Sequence, residues 1–216
     1  MDFELDHLFV CTEPNAPEAN RLVELGFSEG PPNQHPGQGT ASRRFPFINA
    51  MIELFWVDDP GETQSQRTRR TLLSERWAGR NSDASPFGIC LRPAHSQVLL
   101  PPFPGWRYEP DYLPLPLFMH IAEAGVEEPM WVYLNFMKKT HREHQFIQHA
   151  NGTREITGIT LTTPSPLRSR AAEKIVDAGV LQVKTGTHSL LEIEFDGGQR
   201  NKLFDLRPHL PVILIQ

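Results

Sequence analysis

Three polar residues of this 216-residue chain stand inside apolar stretches, where a charge or an imidazole has no cheap place: His7 in ELDHLFV, Glu53 in NAMIELFWVDD and His120 in LPLPLFMHI. A lone carboxylate in a buried strand protonates, finds a partner or serves a ligand, because transferring an uncompensated charge from water is expensive. A desolvated glutamate oriented by a histidine can act as a general base, for proton abstraction next to a carbonyl or for hydrolysis. Glu53 and His7 are therefore the candidate catalytic residues, with Glu53 as base and His7 as its orienter. His35, in the glycine-rich loop EGPPNQHPGQGTAS, and Arg44, in RRFPFI, are candidate ligand-binding residues. A guanidinium matches a carboxylate or phosphate, and strand alternation lets only one of Arg43 and Arg44 face a site. Phe9, Met51, Phe55 and Met119, with His120, would complete the wall of a small-molecule cavity, which is usually apolar with a few convergent polar groups.

Strands must hold these side chains. Residues 3–11 alternate as a strand; PNAPEANRLVELGF then gives a helix with Asn15 as cap, Pro17 in its first turn and Gly26 as stop. A short strand at Phe27, then RRFPFI and AMIELFWV around a turn near Asn49, make residues 1–59 a βαβββ module. Parity places Leu5, His7 and Phe9 on one face of the first strand and Met51, Glu53 and Phe55 on one face of the last. ELDHLFVCT at 4–12 is echoed by EITGITLTT at 155–163, with Ser165, Pro166 and Gly179 around a second helix and HSLLEIEF answering NAMIELFW. Glu192 falls opposite Glu53, but it shares a face with His188, Glu194 and Asp196 and reads as solvent-facing, not as a site residue. The expected organisation is a first module at 1–59, a linker helix at 60–84, a middle strand-rich segment at 85–154, and a second βαβββ-like module at 155–216.

Composition narrows the function classes. With 39% hydrophobic and 22% charged residues and no apolar run near the roughly 20 residues of a membrane span, the chain reads as globular with no membrane partner. MDFELDHLFV has acidic residues where a secretory leader would be basic, so a cytoplasmic location is expected. A net charge of −5 argues against nucleic acid, and Arg67, Arg69, Arg70, Arg76 and Arg80 read as a solvated helix face. Cys11 and Cys90, each inside an apolar run, read as buried free thiols.

A histidine on the first strand and a glutamate on the fourth, with ELDHLFV, HPGQGTASRRF, AMIELFWVDD, LPLPLFMHI and HANGTREITGITL, resemble the glyoxalase-like domain family of the vicinal oxygen chelate superfamily. The resemblance spans nearly the whole chain. It implies an α+β fold in which paired βαβββ modules form a cup-shaped, twisted mixed β-sheet with helices outside and a ligand cavity inside. Many members of the superfamily hold a divalent metal there with two His and Glu pairs, one from each module. His7 and Glu53 match the first pair. The second fails: Gly158 replaces the histidine if 155–196 is the second module, and PFGICLR has none if the middle segment is. His120 stands where the family's strand carries an acidic or amide residue, although His7, Glu53 and His120 together would meet the three-ligand minimum of an open zinc site. We expect no cofactor and no tightly bound metal. The expected function is a glyoxalase-like small-molecule binding or enzymatic domain with an apolar cavity and an incomplete metal site. The alternative is a non-catalytic, ligand-sequestering protein acting as a homodimer.

Overall fold

The computed structural model describes residues 2–95, 100–137 and 147–216. The chain opens with β1 (Phe3–Cys11), α1 (Ala19–Glu24), β2 (Asn33–His35), β3 (Thr40–Pro46) and β4 (Met51–Val57). Asn15 and Ala16 adopt positive φ, so the first helix starts later than its sequence signals suggest and Asn15 is not its cap. Gly26 ends it as expected, at φ +86, where an added Cβ would meet the backbone nitrogen of Asn151 at 2.9 Å. The short second strand lies at 33–35, inside the stretch read as loop, and not at Phe27.

The expected linker helix is broken into α2 (Pro60–Thr63), a 3-10 turn at Arg69–Thr71 and α3 (Leu73–Ala78). Asp59 caps the first, accepting from the backbone N–H groups of Gly61 and Glu62, while left-handed Leu72 separates the turn from α3. Of its arginines, Arg67, Arg69 and Arg70 are exposed, as a solvated face requires, but Arg76 is not. Arg76 is buried and donates to the carbonyls of Ser85, Val126 and Glu128; Arg67, Arg70 and Arg80 pair with Asp111, Glu123 and Glu13.

The middle segment supplies β5 (Phe87–Pro93), β6 (Gly105–Tyr108), β7 (Met119–Ala122) and β8 (Met130–Tyr133), and with the first four strands these form an eight-stranded sheet in the order β2-β3-β4-β1-β5-β8-β7-β6. The order is symmetric about the antiparallel β1–β5 junction: β1 runs parallel to β4 as β5 does to β8, and each half continues through a hairpin. The second module of the paired sheet is thus 87–133, with no helix among the described residues between β5 and β6.

Residues 155–216 form a sheet of their own. It contains β9 (Ile156–Thr163), α4 (Arg170–Asp177), β10 (Gln182–Thr185), β11 (Leu190–Phe195), β12 (Leu203–Asp205) and β13 (Val212–Ile215), ordered β10-β9-β11-β13-β12. The echoed strands β9 and β11 are neighbours, but antiparallel, whereas β1 and β4 are parallel. The reason is the helix connection. α4 ends at Gly179 and returns the chain at once to β10, parallel and adjacent to β9, the outcome of a short βαβ crossover. The segment expected to be a second βαβββ-like module therefore does not complete the paired sheet.

The two sheets share one core. Leu8, Val10, Ile52, Leu54, Ile89 and Trp131 from the eight-stranded sheet cluster with Ile159, Leu161, Leu191, Ile193 and Phe195 from the other. Phe47 and Phe195 lie 4.9 Å apart, and Asn49 bonds the backbone of Ile156 in both directions. The other face of β1, β4, β5 and β8 carries a second cluster, including Phe9, Phe55, Cys90, Met130 and Val132. No helix among the described residues is long and apolar enough to cross a membrane.

Candidate functional site

A cavity of about 300 Å³ opens on this second face. The two-residue period of β1 and β4 turns His7, Phe9, Met51, Glu53 and Phe55 toward it, as parity predicts, and β5 and β8 add Cys90, Met130 and Val132. Phe9 stacks on Phe55 with centroids 4.9 Å apart, above Gly88. A Cβ on Gly88 would sit 1.9 Å from the Phe9 ring, so only glycine leaves that ring its place. Tyr112 and Leu113, from the segment between β6 and β7, also line the cavity, and Tyr112 packs 4.8 Å from the His35 ring.

His7 is held by a neighbour the sequence reading missed. The β1–β5 register shifts by one residue: Leu5 pairs with Leu91, but His7 pairs with Cys90, which leaves Asp6 as the extra residue of a bulge. Both Asp6 and His7 therefore border the cavity. Nδ1–H of His7 donates to Asp6 Oδ1 at 2.7 Å, and Arg92 Nη1 donates to Asp6 Oδ2 at 2.8 Å. Arg92 is further fixed by Glu4 and by the carbonyl of Asn49. Burial disfavours the Asp6 carboxylate, but His7 and Arg92 outweigh it and hold its pKa down at about 2. Burial likewise opposes an imidazolium at His7; Cys90, Asp6 and Glu53 override it and keep His7 protonated well above the ordinary histidine range. Cys90, the partner of His7 across the strands, lines the cavity beside it.

Glu53 is the exception in this network. Only 6% exposed, it faces the cavity without a hydrogen bond or ion pair to any side chain among the described residues. Its register partner on β1 is Phe9, not His7, so His7 contributes positive potential to Glu53 and is oriented by Asp6. The expected direct orienting of Glu53 by His7 is thus replaced by an Asp6–His7 pair. On β3, Arg44 lies opposite Glu53 and lines the cavity, its Nε donating to the carbonyl of Pro31. Arg43 points the other way, to Glu29, Asn20 and the carbonyl of Ala16.

His35 also lines the cavity and is buried. Its Nε2 accepts from the Asn33 amide at 2.7 Å, which leaves Nδ1–H to donate to Thr40 Oγ1 at 3.0 Å. Burial lowers its pKa and favours that neutral form. Burial also pushes the Tyr112 phenol well above its ordinary value, so it stays protonated.

His120 does not join the site. On β7 Met119 and Ile121 turn inward, and His120, between them, turns out to donate from Nε2 to the carbonyl of Phe103 at 2.9 Å. Glu192 pairs with Lys184 on the separate sheet, away from the cavity. The superfamily's metal arrangement does not fit these residues. His120 is outside, and the inward positions of β5 and β8 carry Gly88, Cys90, Met130 and Val132 in place of a second His and Glu pair. Among the described residues no three His, Cys, Asp or Glu side chains are grouped to hold a metal ion. Asp6, Cys90 and Tyr112 escaped the sequence reading. Asp6 hides behind a bulge, Cys90 reads as one more apolar residue, and Tyr112 sits in a proline-rich stretch without periodicity.

A family model described as the glyoxalase-like domain matches residues 5–179. No curated protein matches the chain. Among solved structures, a hypothetical protein from Staphylococcus aureus is similar over 98% of this chain and 98% of its own, at 11% identity and a TM-score of 0.50, a likeness of fold alone. The match from β1 to the end of α4, laid over a paired sheet with a histidine on its first strand and a glutamate on its fourth, shows that the chain belongs to the glyoxalase-like domain family of the vicinal oxygen chelate superfamily.

Proposed function

We propose that the cavity binds a small carbonyl compound with an apolar body and that Glu53 abstracts a proton from the carbon next to its carbonyl. The observation that carries this reading is the carboxylate of Glu53, buried, facing an apolar cavity and bonded to no described side chain. A nearly buried base that faces a cavity and has gained no structural partner is poised for a ligand. As the proton moves to Glu53, negative charge develops on the carbonyl oxygen, where the Arg44 guanidinium and the positive His7 ring favour it. Phe9, Phe55 and Met51 take the apolar body. Cleavage by Glu53-activated water would use the same groups.

The non-catalytic, sequestering reading has one observation of its own: Met51, Met119, Met130 and Met137 all line the cavity. Thioether side chains adapt to varied shapes and suit a broad ligand range. Both readings require binding, and a thermal-shift series of small keto acids against the matching hydroxy acids tests it, since a ligand of the native state alone raises the melting temperature. Hydrogen–deuterium exchange at the carbon next to the carbonyl, followed by NMR, then separates them. Catalysis predicts exchange that falls by roughly 10²-fold or more in Glu53→Gln while binding persists. Binding without exchange supports sequestration, and no shift with any compound rejects both.

A further inference from the structure

Cys90 is the nucleophilic group that the proposed reaction leaves unused. It lines the cavity at 4% exposure, directly across the β1–β5 pair from His7, whose charge acts on it. Since Nδ1 of His7 is taken by Asp6, the nitrogen left for Cys90 is Nε2. Asp6 is in turn fixed by Arg92, so the ring cannot rotate away without breaking a buried ion pair. A thiol beside an imidazolium that a carboxylate holds in place is a setting that favours the thiolate, its nucleophilic form. The buried, unbonded carboxylate of Glu53 is a second, independent sign that this part of the cavity is shaped for a reacting ligand. Cys11 provides the contrast within the same chain. Burial raises both thiols, but at Cys90 the His7 charge opposes it, whereas Cys11, in the same apolar cluster, does not line the cavity and is pushed up to about 12.

We infer that Cys90 adds reversibly to the carbonyl carbon of a small aliphatic aldehyde held in the cavity, an inference that rests on the proposed binding of carbonyl compounds. The S–H bond breaks and its proton passes to Glu53. The S–C bond forms as the C=O π pair moves onto oxygen, which takes a proton from Nε2–H of His7. Return of the Glu53 proton to His7 restores both groups. The net change is one thiol added across one C=O bond, with nothing oxidised or reduced.

The test uses the wild-type protein, in which the two thiols are compared in one sample. Native protein is treated with iodoacetamide, quenched over time and analysed by peptide mass spectrometry. Cys90 should be alkylated about tenfold or more faster than Cys11. Butanal should slow alkylation of Cys90, and butan-1-ol, of similar size but without a carbonyl, should not. In His7→Gln, checked for folding by circular dichroism, the preference for Cys90 should disappear. Equal alkylation of the two cysteines, equal protection by aldehyde and alcohol, or an unchanged preference in His7→Gln would overturn the proposal. Melting temperatures with butanal and with keto acids distinguish the two failures. Shifts with an unreactive Cys90 remove only the covalent role, whereas no shift with either removes the carbonyl-binding reading as well.

Discussion

Glu53 is held at a cost to the folded protein, because a nearly buried carboxylate without a hydrogen bond gives up most of its hydration and recovers only the attraction of the positive His7 ring. Replacing it with an apolar side chain of similar size should therefore stabilise the unliganded protein while removing its chemistry, the trade-off seen at strained active sites. We expect Glu53→Leu to gain about 1–3 kcal/mol in urea unfolding; a loss would show that Glu53 has a structural partner. Asp6 is the opposite case, a buried carboxylate whose every gain depends on its neighbours. Arg92→Met should cost about 3–5 kcal/mol, since it removes one of the two cations paired with that buried carboxylate, the donor to Asp6 Oδ2. The pH dependence follows from the same pair. The pKa of His7 is raised on folding, so its contribution is complete below its unfolded value of 6.5 and is lost as pH rises through the folded value. The pKa of Asp6 is depressed, so its contribution is present above 3.8 and is lost as pH falls toward about 2. Urea midpoints measured across pH should decline on the alkaline side in the wild type, and this His7 component should vanish in His7→Gln.

At the scale of elements, the cavity owes its form to one glycine and one extra residue. Gly88 leaves room on β5 for the Phe9 ring of β1. Gly88→Ala would push that ring toward Phe55 and into the ligand's space, with an expected cost of about 1–3 kcal/mol. A melting temperature that falls together with the ligand-induced shift would check both effects; an unchanged protein would mean that Phe9 has another place to go. The extra residue is Asp6. Strand alternation read from Leu5, His7 and Phe9 gives the inward face correctly, yet the bulge brings Asp6 to the cavity too and so supplies the partner that parity assigns elsewhere. Bulges leave no pattern in hydrophobicity. The same limit applies to the region 60–84, where arginines in a polar stretch read as a solvated helix face and Arg76 instead ties three buried carbonyls.

For the molecule as a whole, the shared core ties the paired sheet to the separate one. Phe27, Phe47 and Phe195 meet across them, and Glu128, just before β8, accepts from the backbone of Arg168 and Ser169 at the start of α4. A single cooperative unfolding transition is expected, with calorimetric and van't Hoff enthalpies in agreement. Two resolved transitions would show that the sheets unfold separately.

The sequence by itself carried the α+β class, the order of the first module, the inward face of β1 and β4, and therefore His7, Phe9, Met51, Glu53 and Phe55 as cavity residues. These follow from periodicity and from the cost of a charge in an apolar strand, both local properties. Which segment completes the sheet was not local. The echo at 155–163 repeats the signals of β1, but strand pairing depends on the length and path of the connections, and these join 87–133 to the first module. Partner choice was decided at the same level. Asp6 takes His7, Arg44 faces the cavity while Arg43 turns to Glu29, and His120 turns away from the site, because register and neighbouring strands, not residue type, determine what each side chain can reach.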